Sequence, residues 1–233
     1  MKRLLVMTTA LTVAAAANVG RAQDSSADLA KRTQSLNNLK FFGLAMHNYA
    51  SNHYGSFPPA YTTGKDGKPL LSWRVALLSL FGQDSLYKQF HLDEPWDNEH
   101  NKALISKMPK VFAAPGSKVA KDFKTNYLVP RGDDTIFPGA KSIRIGDIAD
   151  GTSQTILVVE ANDDRAVIWT KPDDFEIDPK QPKAGLAGLR RGGFLATFAD
   201  GSAHFVKGTT KPETIRALFT RAGGEIIHNS DFE

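Results

Sequence analysis

Ser25-Ser26-Ala27-Asp28-Leu29-Ala30-Lys31-Arg32-Thr33-Gln34-Ser35-Leu36-Asn37-Asn38-Leu39-Lys40-Phe41-Phe42-Gly43-Leu44-Ala45-Met46-His47-Asn48-Tyr49-Ala50-Ser51-Asn52-His53 is the stretch that decides the fold. Leu29, Leu36, Leu39, Phe42, Met46 and Tyr49 recur at threes, fours and a seven, with Lys31, Arg32, Asn37 and Lys40 between them. That period predicts one long amphipathic helix over about residues 25–53. Ser25-Ser26 and Asp28 supply an N-terminal cap and a first-turn acid. Gly55 and Phe57-Pro58-Pro59 end the helix.

Upstream, Met1-Lys2-Arg3 precedes an apolar run from Leu4 to Ala17, with small residues at Gly20 and Ala22. This is the pattern of a secretory signal peptide, residues 1–22, cut after Ala22; a cut after Ala17 also satisfies the small-x-small rule. The apolar run contains three threonines and is shorter than the ~20 residues a membrane-spanning helix needs, so no stable span is expected after cleavage. The mature chain is expected in the periplasm or cell envelope.

Downstream, Gly64-Lys65-Asp66-Gly67 and Lys68-Pro69 mark turns, and Leu70 to Leu78 reads as a short buried helix. Asp97 should cap another helix that runs through His100, Leu104 and Ile105 to Met108-Pro109, giving a helical insertion over about 70–110. Beyond Pro115-Gly116 the character changes. Residues 126–129, 142–145, 155–160 and 166–169 are β-branched or aromatic runs of strand length. Phe194 to Phe198 and Ala203 to Val206 flank Asp200-Gly201, a hairpin signal. The sheet should span about 123–207, with Thr170 to Arg191, rich in Pro and Gly, as a surface excursion. A closing helix over about 212–221 begins at Pro212. The reading is α+β: a long N-terminal helix packed on an antiparallel β-sheet, with inserted short helices, as one domain over 23–233.

The charge count looks informative at first. The 233 residues carry 29 Lys plus Arg against 25 Asp plus Glu, and the pI is about 9.2. However, Lys2, Arg3 and Arg21 lie in the acid-free first 22 residues; without them 26 basic face 25 acidic side chains. A nearly neutral body without clustered aromatics argues against nucleic acid as partner. With 41% hydrophobic residues and a mean hydropathy of −0.30 the chain can bury an ordinary core. It has no cysteine, which excludes disulfides, thiolate metal sites and cysteine nucleophiles.

Among candidate sites, the densest polar cluster is His91 to His100. His91, Asp93, Glu94 and His100 combine imidazole nitrogen with carboxylate oxygen, the donor set a divalent metal takes. Their spacing fits no metalloenzyme pattern, and a cap at Asp97, a first-turn acid at Glu99 and a packed Trp96 explain the same residues. Asp133-Asp134, Asp147, Asp150, Asp163-Asp164 and Asp173-Asp174 are loop acids without an EF-hand register, better read as solvated turns. Asp150-Gly151-Thr152-Ser153 should form a tight turn before the 155–160 strand. Gly-x-Ser-x-Gly and a strand-to-helix G-x-G-x-x-G are absent. Arg190-Arg191 with Lys183 could meet an anionic partner.

Several blocks in order resemble bacterial pilin-like proteins of domain-of-unknown-function family 1559. They are Ser35 to Lys40 through Tyr49, Tyr54 to Ala60, Pro69 to Arg74 including Trp73, Phe90 to Asp97, Asp150 to Leu157 and Phe198 to Ser202. The resemblance implies a pilin or pseudopilin-like helix on a sheet, no enzymatic activity, and envelope or secretion-system proteins as partners. Pseudopilins of this kind can hold calcium in a loop of the sheet domain. Three features depart from the pattern. Gly20 is followed by Arg21-Ala22-Gln23 rather than a prepilin site, which argues against a pilus-type polymer. Ser35 and Ala114 stand where many members carry two cysteines, as expected if those formed a pair. Arg190 stands where the family's C-terminal signature places a His, with nine residues between it and Asp200-Gly201.

Overall fold

The structure is a computed structural model in which residues 26–233 are described. The expected signal peptide and its cleavage site lie outside the described residues. Helix α1 (Leu5–Ser51), which belongs to the described residues from Ser26 onward, carries its core stripe at Leu39, Phe42, Ala45, Met46 and Ala50, all buried. Leu29, expected on that stripe, is 62% exposed, because the core begins only at Ser35. The chain is already helical at Ser26 and Asp28, so these residues do not cap the start of α1. At the other end Gly55 N–H reaches back to the Ala50 carbonyl at 2.9 Å, with Gly55 at φ 76°. This left-handed closure is the one glycine tolerates.

The insertion begins with strands β1 (Tyr61–Thr63) and β2 (Pro69–Ser72), paired antiparallel. Helix α2 (Trp73–Ala76) follows, capped by the Ser72 hydroxyl. Thus Leu70-Leu71 is a strand rather than the start of a helix: an apolar run this short carries no period of its own. Helices α3 (Asp84–Tyr87) and α4 (Glu99–Ala103) complete this part. The cap of α4 is Asn98, whose side chain accepts the Asn101 N–H at 2.7 Å; Asp97 lies one residue too early.

The remaining strands are β3 (Lys124–Thr125), β4 (Tyr127–Leu128), β5 (Pro130–Arg131), β6 (Ile156–Glu160), β7 (Val167–Ile168), β8 (Phe175–Glu176), β9 (Gly193–Phe198) and β10 (Ala203–Lys207). Residues 142–145 form no strand, only a bridge from Arg144 to Ser56 followed by a 3-10 turn. The main sheet is antiparallel with order β10-β9-β6-β4. Gly201 takes φ 87° in the β9–β10 hairpin, as its tight turn requires.

Both faces of this sheet are buried. On one face, Leu195 and Ala199 join the α1 stripe, and the Thr197 hydroxyl donates to the Leu39 carbonyl at 2.8 Å. The opposite face presents Phe194, Ala196 and Phe198 to Ile215, Leu218 and Phe219 of helix α5 (Pro212–Phe219) and to Phe232. Strand β6 shifts register between Ile156 and Val158, so Leu157 and Val158 both pack with α1 while Ile156 and Val159 face the other way. The helix meets the hairpin closely. A Cβ on Gly43 would lie 2.9 Å from Gly201 Cα and from Gly201 O, which explains a glycine in the middle of a long helix.

Candidate functional site

The strongest chemistry lies inside the fold, in two buried ionic groups. Glu160 ends the otherwise apolar strand β6 and is 1% exposed. Arg190 embraces it bidentately, Nε to Oε2 at 2.7 Å and Nη2 to Oε1 at 2.5 Å. From α1 the Ser35 hydroxyl donates to Glu160 Oε1 at 2.5 Å and lies 2.8 Å from the Tyr127 hydroxyl, to which Asn38 Nδ2 donates at 3.2 Å. This group therefore ties α1, β4, β6 and the segment before β9 together. Burial, with the Glu160 charge beside it, pushes the Tyr127 hydroxyl well above the usual tyrosine range.

Arg190 and Ser35 thus touch the same carboxylate. A Cβ on Gly116 would sit 3.2 Å from Lys31 Cδ and 3.8 Å from Arg190 Nη1. The loop that carries Ala114 accordingly runs beside this part of α1, and Ala114 and Ser35 are both buried.

In the second group Arg74 Nη2 donates to Asp174 Oδ1 at 2.5 Å, and both side chains are fully shielded from solvent. Asp174 Oδ1 also accepts the Val129 N–H at 3.0 Å and Trp73 Nε1 at 3.2 Å. Arg74 donates Nε and Nη2 to the Tyr127 carbonyl at 3.2 and 2.9 Å and Nη1 to the Ser72 hydroxyl at 2.7 Å. Burial pushes the Asp174 carboxyl upward against the pull of Arg74 and its other donors. The Tyr127 carbonyl and Val129 N–H point away from β6, so this ion pair takes the hydrogen bonds another strand would make at the β4 edge. Phe175 N–H continues the closure, donating to the Val129 carbonyl at 3.1 Å.

Thr170 to Arg191 is therefore not a simple surface excursion. It contributes Asp174 and Arg190 to the interior, along with buried Phe175 and Leu186. Arg190 is spent on Glu160, and Lys183 Nζ donates to the Gly208 carbonyl at 2.9 Å, so the expected anion-facing set does not assemble.

The polar cluster at 91–100 lies on the surface. The His91 and His100 rings stack at 3.6 Å and 4°. His91 Nδ1 lies 3.1 Å from Glu94 Oε2, which also accepts from Asn98 Nδ2, and His100 Nε2 donates to the Gln89 carbonyl at 2.7 Å. Asn101, fully buried, organises this loop: its Nδ2 donates to the His91, Glu94 and Pro95 carbonyls and its Oδ1 accepts the His91 N–H. Asp93 is exposed and outside these contacts, and Trp96 is half-buried against the core. Among the described residues no group of three or more His, Cys, Asp or Glu side chains is arranged to hold a metal ion.

Several loop acids have structural duties. Asp163 accepts from the Ser117 hydroxyl at 2.7 Å, Lys118 N–H at 3.0 Å and Asn126 Nδ2 at 2.9 Å. Asp150 accepts the Gly223 and Gly224 N–H groups at 2.7 and 2.8 Å, which anchors the chain after α5. Gly151, at φ 94°, turns the chain as expected, and its carbonyl accepts from Gln154 N–H and the Thr155 hydroxyl. Asp147 pairs with Arg144 on the surface. Asp200 Oδ1 accepts the Ser202 N–H at 2.8 Å and so stiffens the hairpin turn.

Among the described residues no helix is long and apolar enough to cross a membrane. No curated protein and no solved structure matches the chain. The family described as "Protein of unknown function (DUF1559)" matches over residues 28–126 and 111–188, a region that holds Ser35, Arg74, Tyr127, Glu160 and Asp174. The chain belongs to this family.

Proposed function

We propose that the chain is an exported, non-enzymatic structural or protein-interaction module of the bacterial cell envelope, pseudopilin-like but without a prepilin anchor. The observation that carries this reading is the outward side of α1. Phe41 and Leu44 are exposed there at 41% and 55%, on the part of the helix whose other side packs into the core, and Leu29 is exposed at 62% on the turns before the core begins. Exposed large apolar side chains grouped on one element are what a partner surface offers. The absence of enzymatic activity is supported by where the strong polar groups are: both arginine–carboxylate pairs are shut inside the fold, with Asp174 Oδ2 alone among their carboxylate oxygens left without a partner.

Two experiments test the reading. In a pull-down from envelope extract, Leu29→Glu/Leu44→Glu should lose partners that the parent chain captures while melting at the same temperature; equal capture would refute it. Mass analysis of the exported protein should place its N-terminus at Gln23. The rival reading is a periplasmic metal-dependent enzyme or ligand-binding protein using His91, Asp93, Glu94 and His100. Stoichiometric zinc or manganese in the purified protein, lost in a folded His91→Ala/His100→Ala variant, would establish that rival instead.

A further inference from the structure

The two edges of the main sheet are finished differently. At β4 the outward backbone groups are taken up by Arg74, Asp174 and Phe175. At β10 the hydrogen bonds Phe198 N–H to Ser202 O (2.9 Å) and Gly208 N–H to Gly192 O (2.7 Å) set the ladder's phase. With Ala203 opposite Thr197 and Phe205 opposite Leu195, that phase turns the N–H and C=O groups of Ala203, Phe205 and Lys207 away from β9. Lys207 N–H donates to the Phe232 carbonyl at 2.8 Å. Among the described residues nothing bonds to the backbone of Ala203 or Phe205. Folded proteins usually block such an edge.

The chain's own C-terminal segment shows which chemistry the edge accepts. Phe232 is 1% exposed and stacks on Phe198 at 5.3 Å, its carbonyl takes the Lys207 N–H, and Glu233 reaches His204 Nδ1 at 2.7 Å. From Lys207 toward His204 the segment runs antiparallel to β10. Cations flank the vacant rungs: the Arg32 guanidinium lies 3.8 Å over the Phe205 ring, and Lys207 is exposed.

We propose that the β10 edge is a docking site for an extended aromatic–acidic peptide of a partner protein, which adds antiparallel as a fifth strand and for which residues 231–233 are an internal stand-in. Main-chain hydrogen bonds at Ala203 and Phe205 supply affinity, while the Phe198 stack, the His204 ring nitrogen and the Arg32 and Lys207 charges select an aromatic followed by acids. A second copy of the chain is a poor occupant. Pairing two β10 edges about Phe205 would oppose the two Arg32 guanidinium groups and compete with Phe232 for Lys207. The proposal rests on the interaction-module reading and names one surface for it.

The probe is a dye-labelled peptide, Ser-Asp-Phe-Glu-Val-Glu-Val, which repeats segment 230–233 and extends it by three residues. Its binding to the purified chain is followed by fluorescence anisotropy. Phe232→Ala, which loosens the internal stand-in, should tighten binding at least tenfold. Phe205→Pro, which removes an outward N–H but leaves the β9 ladder intact, should weaken it at least tenfold. Two probes N-methylated on alternate residues test the strand geometry without altering the protein: one should bind and the other should not. Equal binding of both N-methyl probes, no binding to Phe232→Ala at millimolar peptide, or dimerisation of the chain in sedimentation would each overturn the proposal. If the envelope pull-down recovers a partner that Phe205→Pro still captures, the edge assignment fails while the interaction reading stands.

Discussion

Replacing Arg190 with Met tests the interior ionic group most directly. Glu160 is 1% exposed, and Arg190 supplies two of its three hydrogen bonds; without the guanidinium only the Ser35 hydroxyl remains. Leaving one member of a buried pair unpaired costs about 3–5 kcal/mol. The loss has a ceiling, because the stranded carboxylate can take up a proton instead. For a glutamate of ordinary acidity that costs about 3–4 kcal/mol at pH 7 and about 1 kcal/mol at pH 5. Arg190→Met should therefore lose about 3–4 kcal/mol at pH 7, on the order of 10 °C in melting temperature for a domain of this size. Most of the deficit should disappear at pH 5. Glu160→Gln added to Arg190→Met should restore most of the stability at pH 7, since no charge is then buried. Urea denaturation of the parent and both variants at the two pH values measures this. A deficit under about 1 kcal/mol at pH 7, or one equal at both pH values, would refute the idea that Arg190 serves to neutralise Glu160.

Three further outcomes are expected. Gly43→Ala should cost about 2–3 kcal/mol by urea denaturation despite the better helix propensity of alanine, because the new Cβ meets Gly201 backbone at 2.9 Å. Burial raises the Asp163 carboxyl, but Lys118 N–H, the Ser117 hydroxyl and the Asn126 amide outweigh it and hold the group below its ordinary value. A lowered carboxyl stabilises fully above its unfolded value of about 3.9 and loses that contribution as pH falls through the lower folded one. Asp163→Asn should thus melt below the parent at pH 7, by about 1–2 kcal/mol, with the gap closing as the pH falls below the unfolded value of about 3.9. Finally, Ser35→Cys/Ala114→Cys should form a bridge under oxidising conditions, seen as zero free thiols in the unfolded protein. It should raise stability by no more than about 2–4 kcal/mol, less what the lost Ser35 hydrogen bonds contribute.

Where short-range chemistry decides the backbone, the sequence is a good guide. The Asp200-Gly201 hairpin, the Pro212 start of α5 and the α1 stripe from Leu39 to Met46 are each set by residues a few positions apart. The β-strand at Leu70-Leu71 is not, since its pairing with β1 and the packing around it are tertiary. The ionic groups are the clearest omission. Asp174 lies in a Pro-rich stretch and Arg190 beside two glycines, so both look solvated, and their partners are 100 and 30 residues away. A signal did exist on the partners' side. Arg74 is the single charge in the apolar run from Leu70 to Leu78, and Glu160 closes the apolar strand Ile156–Val159. A charge held by such surroundings needs an opposite charge to come with it.

The closed β4 edge also limits how this sheet can take part in assembly. A strand-to-strand fibre needs each unit to present two complementary edges, so that every addition leaves a fresh one behind. Here one of the two is filled by Arg74 and Asp174, which cannot be displaced without stranding a charge in the interior. Whatever joins at β10 therefore finds no second open edge on this chain's sheet for a next unit. By this geometry the sheet is a terminus: it can accept one strand but cannot pass the addition on.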